Sequence, residues 1–291
     1  MRTETVSFPG PDRRAINCLV YRPGDEVVSR ATVLLVPGRP LFPTDYEWLI
    51  RPMVESGYTV VGLYQRGFGS DGVDDRAGPK TIAGIRRAAS TLLEKAGLPG
   101  PLAIVGHSTG AQAALLAAAQ EPRFRAAIAL SPIADLAAHV KALRSYLPDI
   151  EEEHRQLFGD PFEDEEEAYR VRSPLYVAQR IDIPVLIVSG DRDLAAPSYQ
   201  AEALHDAFRH HGATSKYVSL PWLGHHFEAV GFHGHQFEPV IEETLGWLDA
   251  HLPLPVGDLS SATVPDDLAQ TQRETRASAA KPPGTAIDHK S

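Results

Sequence analysis

A serine flanked by two glycines stands where a strand-like run meets a helix-like run. Residues 102–105 are apolar and β-prone, and residues 111–119 are almost wholly alanine and leucine, so the chain must turn sharply at GHSTG (106–110). This is the G-x-S-x-G pattern of a nucleophile elbow, which predicts that Ser108 is a nucleophile. Serine is also a favoured N-cap residue, so the pattern alone leaves open that Ser108 only caps the helix.

A serine hydroxyl becomes a nucleophile when a base takes its proton and a third group holds that base in place. Two candidate acids, Asp191 and Asp193, follow the apolar run PVLIVSG (184–190). Two candidate bases, His225 and His226, lie in PWLGHHF (221–227), after the last strand-like run. Because strand ends of a parallel sheet meet at one edge, we expect an acid and a base from these pairs beside Ser108.

Strand-like and helix-like runs alternate along most of the chain. Strand patterns are predicted at 5–8, 16–21, 31–36, 59–63, 102–105, 126–130, 184–189 and 216–220. Between residues 133 and 180 the alternation stops, and the segment contains helical stretches and an acid-rich run. The sequence therefore predicts a three-layer α/β fold with a mostly parallel sheet of about eight strands and a helical cap inserted after the sixth strand.

The domain organisation follows from the same pattern and from composition. We expect a core formed by residues 1–132 and 181–252, with the cap at 133–180. Residues 253–291 contain almost no large apolar side chains and are predicted to form a disordered tail, since they cannot bury enough surface to offset the entropy of ordering.

Composition excludes several classes of protein. The chain has 291 residues, 43% of them hydrophobic, and a formal net charge of -10, which argues against nucleic acid or an anionic membrane as a partner. Cys18 is the only cysteine, so no internal disulfide or thiolate metal cluster is expected, and its apolar neighbours predict a buried strand position. Neither a signal peptide nor a long apolar run is present, which predicts a cytoplasmic protein.

The motifs GHSTG, YQRGFGSDG (64–72) and SPLYVAQRIDIPVLIVSGDRD (173–193), followed by LPWLGHHF (220–227), resemble the α/β-hydrolase superfamily. The C-terminal half is most similar to the catalytic domains of the prolyl oligopeptidase family and their single-domain relatives, and the resemblance covers residues 5–251. It implies that Ser108 is the nucleophile. The family's G-x-x-D pattern places the acid at Asp193 and leaves Asp191 to the turn, and the histidine after a glycine is His225, with His226 as the fallback.

The resemblance also implies an oxyanion hole. Its two donors would be the N–H groups of Thr109 and of Arg39, in the loop after residues 31–36, because Pro40 has no N–H. This chain departs from the family in having Val36 where prolyl oligopeptidase relatives often have a tyrosine. The missing hydroxyl favours esters or thioesters over peptides as substrates.

Further residues are candidates for the substrate pocket. Arg39 and Arg66 could clamp a substrate carboxylate, although loop arginines are more often simply solvated. Tyr46 and Phe68 are candidates for the pocket wall, with core packing as the alternative. Several histidine pairs occur, but without cysteine or carboxylate partners at a recognised ligand spacing, and we predict neither a metal nor another cofactor.

The sequence thus predicts a serine hydrolase that cleaves an ester, thioester or amide through an acyl-enzyme on Ser108. Its partner would be a small-molecule or peptidyl acyl substrate, with a carrier protein or thioester as a possible donor. An acyltransferase that passes the acyl group to an alcohol or amine would use the same triad. A non-catalytic binding protein on a hydrolase scaffold is a third, weaker interpretation.

Overall fold

The computed structural model describes residues 1–24, 26–65, 75–94, 97–158, 166–229 and 234–252. An eight-stranded sheet runs through this part of the chain. In chain order the strands are β1 (Arg2–Pro9), β2 (Ala15–Arg22), β3 (Ala31–Val36), β4 (Tyr58–Leu63), β5 (Leu102–His107), β6 (Phe124–Leu130), β7 (Val185–Gly190) and β8 (Ser215–Leu220). Each predicted strand has a counterpart in the structure.

The sheet order is β1-β2-β4-β3-β5-β6-β7-β8. The pairings of β2 with β1 and with β4 are antiparallel, and all the other neighbours are parallel. Every residue of β3, β4, β5 and β7 is buried, as expected for strands covered on both faces. Cys18 is fully buried on β2, as its neighbours predict.

Helices cover both faces of the sheet. They are α1 (Glu47–Glu55), α2 (Pro79–Glu94), α3 (Thr109–Ala118), α4 (Leu136–Leu143), α5 (Pro148–Phe158), α6 (Glu166–Arg170), α7 (Tyr199–His210) and α8 (Glu238–His251). Apolar side chains of α2, α3 and α7 pack on one face, and those of α1 and α8 on the other. Alternate residues of β3 contribute to the two clusters, with Leu34 on one face and Leu35 on the other. The predicted three-layer architecture is confirmed.

A helical insertion follows β6, the sixth strand, as predicted. It contains α4, α5, α6 and a 3₁₀ helix, Pro174–Arg180. A small apolar cluster of five buried residues joins α4 and α6 to the loop after β7; its members are Ile133, Leu136, Val140, Tyr169 and Ala196. The 3₁₀ helix packs differently, because Ala178 belongs to the large cluster on the sheet. We refer to α4, α5 and α6 together as the cap.

Side-chain amides attach the cap to the core. The Gln200 side chain of α7 accepts hydrogen bonds from the backbone N–H groups of Ala134 (2.9 Å) and Asp135 (2.8 Å). The Gln112 side chain of α3 donates to the carbonyl oxygen of Arg172 (2.6 Å). Both amides are almost fully buried, so these bonds fix the two ends of the cap over the sheet edge.

Three of the predictions concern residues that the structure does not describe. Arg66, Phe68 and the tail 253–291 lie outside the described residues. Within the described ranges, no helix is both long enough and apolar enough to cross a membrane.

Candidate active site

Ser108 occupies the tight turn between β5 and α3. Its backbone has φ 56° and ψ -124°, a conformation that a non-glycine residue adopts only under constraint from its surroundings. A side chain at Gly106 would collide with the Gly110 carbonyl, and one at Gly110 with the Val36 carbonyl at the end of β3. The two glycines therefore allow α3 to begin directly against the strand ends.

The hydroxyl of Ser108 does not cap the helix, although Ser108 stands at the N-cap position. It lies 2.9 Å from Nε2 of His225, and Nδ1 of His225 lies 2.8 Å from Oδ2 of Asp193. An ionised carboxylate can only accept, so Nδ1 carries the imidazole proton and Nε2 is left to accept from the serine. This is the arrangement that activates a serine by general base catalysis.

Asp193 is 4% exposed and is held on both of its oxygens, since Oδ1 accepts the Ala196 N–H at 2.6 Å. Asp191 has a different position. It is exposed, and its Oδ1 accepts the Trp222 N–H at 2.6 Å, which ties the loop after β7 to the loop after β8. The structure thus brings Asp193 to the histidine and gives Asp191 the turn contact that the resemblance implies.

His226 lines the same cavity but has no hydrogen bond to Ser108 or Asp193 among the described contacts. Its backbone N–H donates to Oε2 of Glu228 at 2.8 Å, and its ring packs 5.2 Å from the ring of His107. Burial, followed by repulsion from His225, lowers the pKa of the His226 ring. Between the two neighbouring histidines, His225 is the one that contacts Ser108.

A buried hydrogen-bond chain lies beneath the site. His107 Nε2 is 2.9 Å from the His225 carbonyl oxygen, and His107 Nδ1 is 2.7 Å from the Tyr46 hydroxyl. That hydroxyl also accepts the Gly38 N–H at 2.8 Å. A carbonyl only accepts, so Nε2 of His107 carries the proton and Nδ1 accepts from Tyr46. Burial holds the pKa of His107 well below its usual value, which keeps the ring neutral and this direction of donation intact.

This hydrogen-bond chain links two loops at the sheet edge. Through Gly38 it holds the loop after β3, and through the His225 carbonyl it holds the loop after β8; the Ser131 hydroxyl also donates to that carbonyl at 3.2 Å. Tyr46 and His107 are each only 2% exposed, so the link is shielded from water. Sequence reasoning missed this role for His107, whose position inside GHSTG was the available signal.

The predicted oxyanion donors lie side by side. The Arg39 N–H donates to the Thr109 hydroxyl at 3.1 Å, which places the loop after β3 directly against the elbow. Thr109 is the first residue of α3, so its N–H has no acceptor within the helix. Both N–H groups are therefore next to Ser108, at a helix N-terminus that stabilises negative charge.

A cavity of about 280 Å³ opens on Ser108 beneath the cap. Its described lining comes partly from strand-end loops and partly from α4 and α5. The lining residues are Arg39, Arg76, Ser108, Thr109, Gln112, Ile133, Leu136, His139, Leu143, Leu147, Ile150, Glu153, His154, Ala195, His225 and His226. Sequence reasoning found Arg39 but missed Arg76 and the cap residues, since helical periodicity does not reveal which cap face meets the sheet edge.

The pocket prediction for Tyr46 needs correction. Tyr46 is buried behind the loop after β3 and lines a separate cavity of about 350 Å³, together with Trp48 and Phe237. Its hydroxyl accepts the Gly38 N–H and bonds to Nδ1 of His107, so the side chain belongs to this buried hydrogen-bond chain and is not among the described residues that line the Ser108 cavity. No tyrosine occurs among the described residues that line the Ser108 cavity, so the hydroxyl missing at Val36 is not replaced from that set.

Burial shapes the charges around this cavity. It lowers the pKa of His139 on α4 to about 4, with a smaller contribution from His154, so His139 is neutral near neutral pH. Burial and then repulsion from Arg76 lower the pKa of Arg39 to about 10, which leaves its guanidinium charged. The described residues contain no group of three or more histidine, cysteine or acidic side chains placed to hold a metal ion.

A mostly parallel eight-stranded sheet, a serine elbow after β5, and an acid and a histidine on later strand ends define an α/β-hydrolase. Residues 45–254 match the prolyl oligopeptidase family. The chain belongs to that family, which confirms the resemblance indicated by its motifs.

One curated relative is an uncharacterized peptidase, YuxL, of Bacillus subtilis. It is 27% identical over 263 residues, which is 86% of this chain and 39% of that protein. The chain thus spans well under half the length of this relative.

Solved structures share the fold. A puromycin-hydrolyzing peptidase of Mycobacterium tuberculosis superposes with a TM-score of 0.71 at 22% identity, over 87% of this chain and 40% of that one. An esterase of Pyrococcus furiosus has a TM-score of 0.62 at 17% identity, over 86% of this chain and 91% of that one. The fold of residues in the eight-stranded sheet and its helices is thus the shared part.

Proposed function

We propose that this protein hydrolyses a small ester or thioester through an acyl-enzyme on Ser108. The observation that carries the proposal is the continuous line from Ser108 Oγ through both nitrogens of His225 to Asp193, with distances of 2.9 and 2.8 Å. Such a line is the requirement for a serine to act as a nucleophile near neutral pH.

Each residue has one task in the proposed reaction. His225 Nε2 takes the Ser108 proton while Oγ bonds to the acyl carbon. The resulting oxyanion accepts from the Thr109 N–H and from the Arg39 N–H, which exchanges its bond to the Thr109 hydroxyl for one to the oxyanion. His225 then gives that proton to the leaving oxygen or sulfur as its bond to the acyl carbon breaks. His225 next takes a proton from water as the water oxygen bonds to the acyl carbon. The bond from that carbon to Ser108 Oγ then breaks, His225 returns the proton to Oγ, and the acid product leaves. Asp193 holds His225 in the required tautomer throughout.

Two features favour small esters or thioesters over peptides. The cavity of about 280 Å³ is slightly smaller than the usual ligand pocket, for which the range begins at roughly 300 Å³. The position before the oxyanion loop is Val36, where prolyl oligopeptidase relatives often have a tyrosine, so that hydroxyl is missing. Esters and thioesters need less help than amides, because their leaving groups depart more readily.

Acyl transfer remains the competing reaction, because both reactions share every step up to the acyl-enzyme. The fate of a preformed acyl-enzyme separates them. After loading with an acyl thioester, hydrolysis predicts that the acyl mass disappears in buffer alone. Persistence until an alcohol, an amine or a carrier protein is added would instead identify a transferase.

Intact-mass measurement tests the proposal. The protein is exposed in turn to a fluorophosphonate and to a panel of esters, thioesters and peptide amides. We expect one covalent adduct on the native chain, fastest turnover with esters or thioesters, and no adduct on Ser108→Ala, whose far-ultraviolet circular dichroism should be unchanged. Absence of labelling together with absence of turnover would favour a binding protein on a hydrolase scaffold.

A further inference from the structure

A second cavity, of about 350 Å³, lies beside the Ser108 cavity and differs from it in chemistry. Its described lining includes the aromatic rings of Tyr46, Trp48, Phe227 and Phe237 and the imidazole rings of three histidines. The described lining of the Ser108 cavity contains no phenylalanine, tyrosine or tryptophan, and its apolar part is aliphatic. We refer to the second space as the aromatic cavity. Its walls suit a flat ring, whereas those beneath the cap suit an alkyl chain.

The rings of the aromatic cavity are held in place by one another. Trp48 and Phe237 stack with their ring centroids 4.0 Å apart and their planes at 10°, and Phe227 stands edge-on to Trp48 at 6.3 Å. Tyr46 and Phe227 are 2% and 1% exposed and form the floor, while Trp48 and Phe237 are half-buried. Contacts between α1, the loop after β8 and the residue before α8 thus form the wall without a ligand, which lowers the entropy cost of binding one.

The aromatic cavity has little charge in its described lining. Asp45 is the only aspartate, glutamate, lysine or arginine among the described residues that line it. Its carboxylate is exposed at the rim, and Oδ2 accepts the Phe42 N–H at 2.7 Å, which ties it to the turn before α1. Burial, followed by repulsion from His225, lowers the pKa of His226, so that ring is neutral near neutral pH. This lining therefore favours an uncharged aromatic group.

The aromatic cavity borders His225. The ring of His225 lies 4.9 Å from that of His226 and 5.0 Å from that of His107, and both of these rings line the aromatic cavity. His226 also lines the Ser108 cavity. Leu41 adds the loop after β3 to the wall, and no residue of the cap belongs to the described lining. The aromatic cavity therefore meets the site at His225 and at the loop after β3 rather than at the cap.

In the proposed reaction, His225 gives a proton to the leaving oxygen or sulfur, so the leaving group must lie within hydrogen-bond reach of its ring. We propose that this leaving group carries a planar aromatic ring, which binds in the aromatic cavity while the acyl group lies beneath the cap. The inference rests on the function proposed above and names the alcohol or thiol part of its substrate. Trp48 and Phe237 are then specificity residues for the leaving group.

Two acetate esters with matched leaving groups test the inference. 2-Phenylethyl acetate and 2-cyclohexylethyl acetate differ in the saturation of a ring that lies two carbons from the ester oxygen, so the two alcohols leave about equally well. Cyclohexyl is the more hydrophobic ring, so burial alone does not favour the phenyl ester. We expect kcat/KM, measured by chromatography of the released alcohol, to be about fivefold higher for the phenyl ester.

A second pair of esters places the same rings in the acyl group. Ethyl 3-phenylpropanoate and ethyl 3-cyclohexylpropanoate should be hydrolysed without an aromatic preference, because the described wall beneath the cap is aliphatic.

Substitutions at Trp48 sharpen the test. Trp48→Leu should bring the phenyl to cyclohexyl ratio of the acetate esters close to one, and Trp48→Phe, which keeps an aromatic face, should retain part of it. Phe237→Leu should also lower the ratio, so the test does not depend on the folding of one variant. Trp247→Leu is the matched control, because Trp247 packs against the same apolar cluster as Trp48 but contacts the His251 ring and is not among the described residues that line the cavity. It should leave the ratio unchanged.

Three outcomes would overturn the inference while leaving the proposed function intact. They are equal kcat/KM for the two acetate esters, an equal or larger aromatic preference in the two propanoate esters, and an unchanged ratio in both Trp48→Leu and Phe237→Leu. Failure of the proposed function looks different, because then none of the esters is hydrolysed and the fluorophosphonate leaves Ser108 unlabelled.

Discussion

The sheet edge at the strand ends, which carries Ser108, and the cap that covers it are held in place in different ways. At the edge, each reacting group is fixed from several sides: Ser108 by its strained turn, Asp193 by bonds to both oxygens, and His225 by its ring and its carbonyl. The cap rests on a cluster of five buried residues and on a few side-chain bonds to the core.

From this difference we expect the sheet edge to determine the rate of the reaction and the cap to determine which acyl group is preferred. Changes at the edge should lower the rate for every acyl group alike, because all substrates pass through the same transition state. Changes in the cap should alter which acyl group is preferred, since α4 and α5 supply Leu136, Leu143 and Ile150 to the apolar lining. The predictions below break or sharpen this division, from the largest expected effect to the smallest.

The histidine pair provides the largest contrast. His225→Ala should lower kcat/KM by about four to six orders of magnitude for all esters, because Ser108 loses its base. His226→Ala should cost no more than a few-fold, since its ring does not contact Ser108. Steady-state kinetics of both variants decide between them, and a severe loss in His226→Ala with a mild one in His225→Ala would reverse the assignment.

The aspartate pair should differ nearly as much. Asp193→Asn should reduce kcat by about 10⁴, because an amide at this position favours the wrong tautomer of His225. Asp191→Asn retains an oxygen that can accept from Trp222 and should keep activity within a few-fold. The measurement is kcat with one ester for both variants; equal losses would mean that Asp191 also holds the base.

Tyr46 tests the link beneath the edge. Tyr46→Phe leaves the Gly38 N–H and His107 Nδ1 buried without their partner, so both catalytic loops lose a restraint. We expect kcat to fall by about tenfold with little change in KM, equally for short and long acyl chains. An unchanged kcat, or a fall in kcat for long acyl chains alone, would show that Tyr46 does not support the reacting groups at the sheet edge.

Leu147 tests the cap side of the comparison. It lines the cavity and is 42% exposed, so Leu147→Ala removes apolar contact without emptying the core. We expect kcat/KM for 4-nitrophenyl hexanoate to fall by about threefold, at roughly 0.8 kcal/mol per buried methylene, while the acetate ester is unaffected. Equal losses with both esters would show that the cap contributes to the chemistry itself.

His139 on α4 makes cap stability depend on pH. Burial lowers its folded-state pKa from 6.5 to about 4, so the unfolded chain binds a proton there that the folded chain excludes. The free energy of unfolding should therefore be highest above pH 6.5 and fall as the pH drops toward 4, by up to about 1.4 kcal/mol per pH unit.

Urea denaturation at pH 5 and pH 7.5 checks this dependence. His139→Leu should lose less stability than the native chain between the two pH values. The control is His211→Leu, at an exposed position after α7, which should show the native dependence. The same drop in His139→Leu as in the native chain would rule out His139 as the cause.

Much of the fold could be read from local pattern. Apolar runs such as 31–36 predict buried parallel strands because only a strand covered on both faces tolerates a continuous run. The nucleophile elbow could also be predicted from the sequence, because a side chain at Gly106 or at Gly110 would collide with backbone atoms of the turn and of β3. The positions of the strand ends also limited the acid to Asp191 or Asp193 and the base to His225 or His226.

The order of residues along the chain was enough to predict the architecture, the nucleophile, and two candidates each for the acid and the base. These features depend on periodicity and on residues a few positions apart. Only the tertiary structure showed that Asp193 contacts His225 and that His225 contacts Ser108, in place of Asp191 and His226. It also showed that Tyr46 bonds to His107 instead of lining the Ser108 cavity, and that Arg76, which precedes α2 in the sequence, lines that cavity beneath α5. These facts depend on side-chain direction and on contacts between residues far apart in the chain, which local pattern does not record.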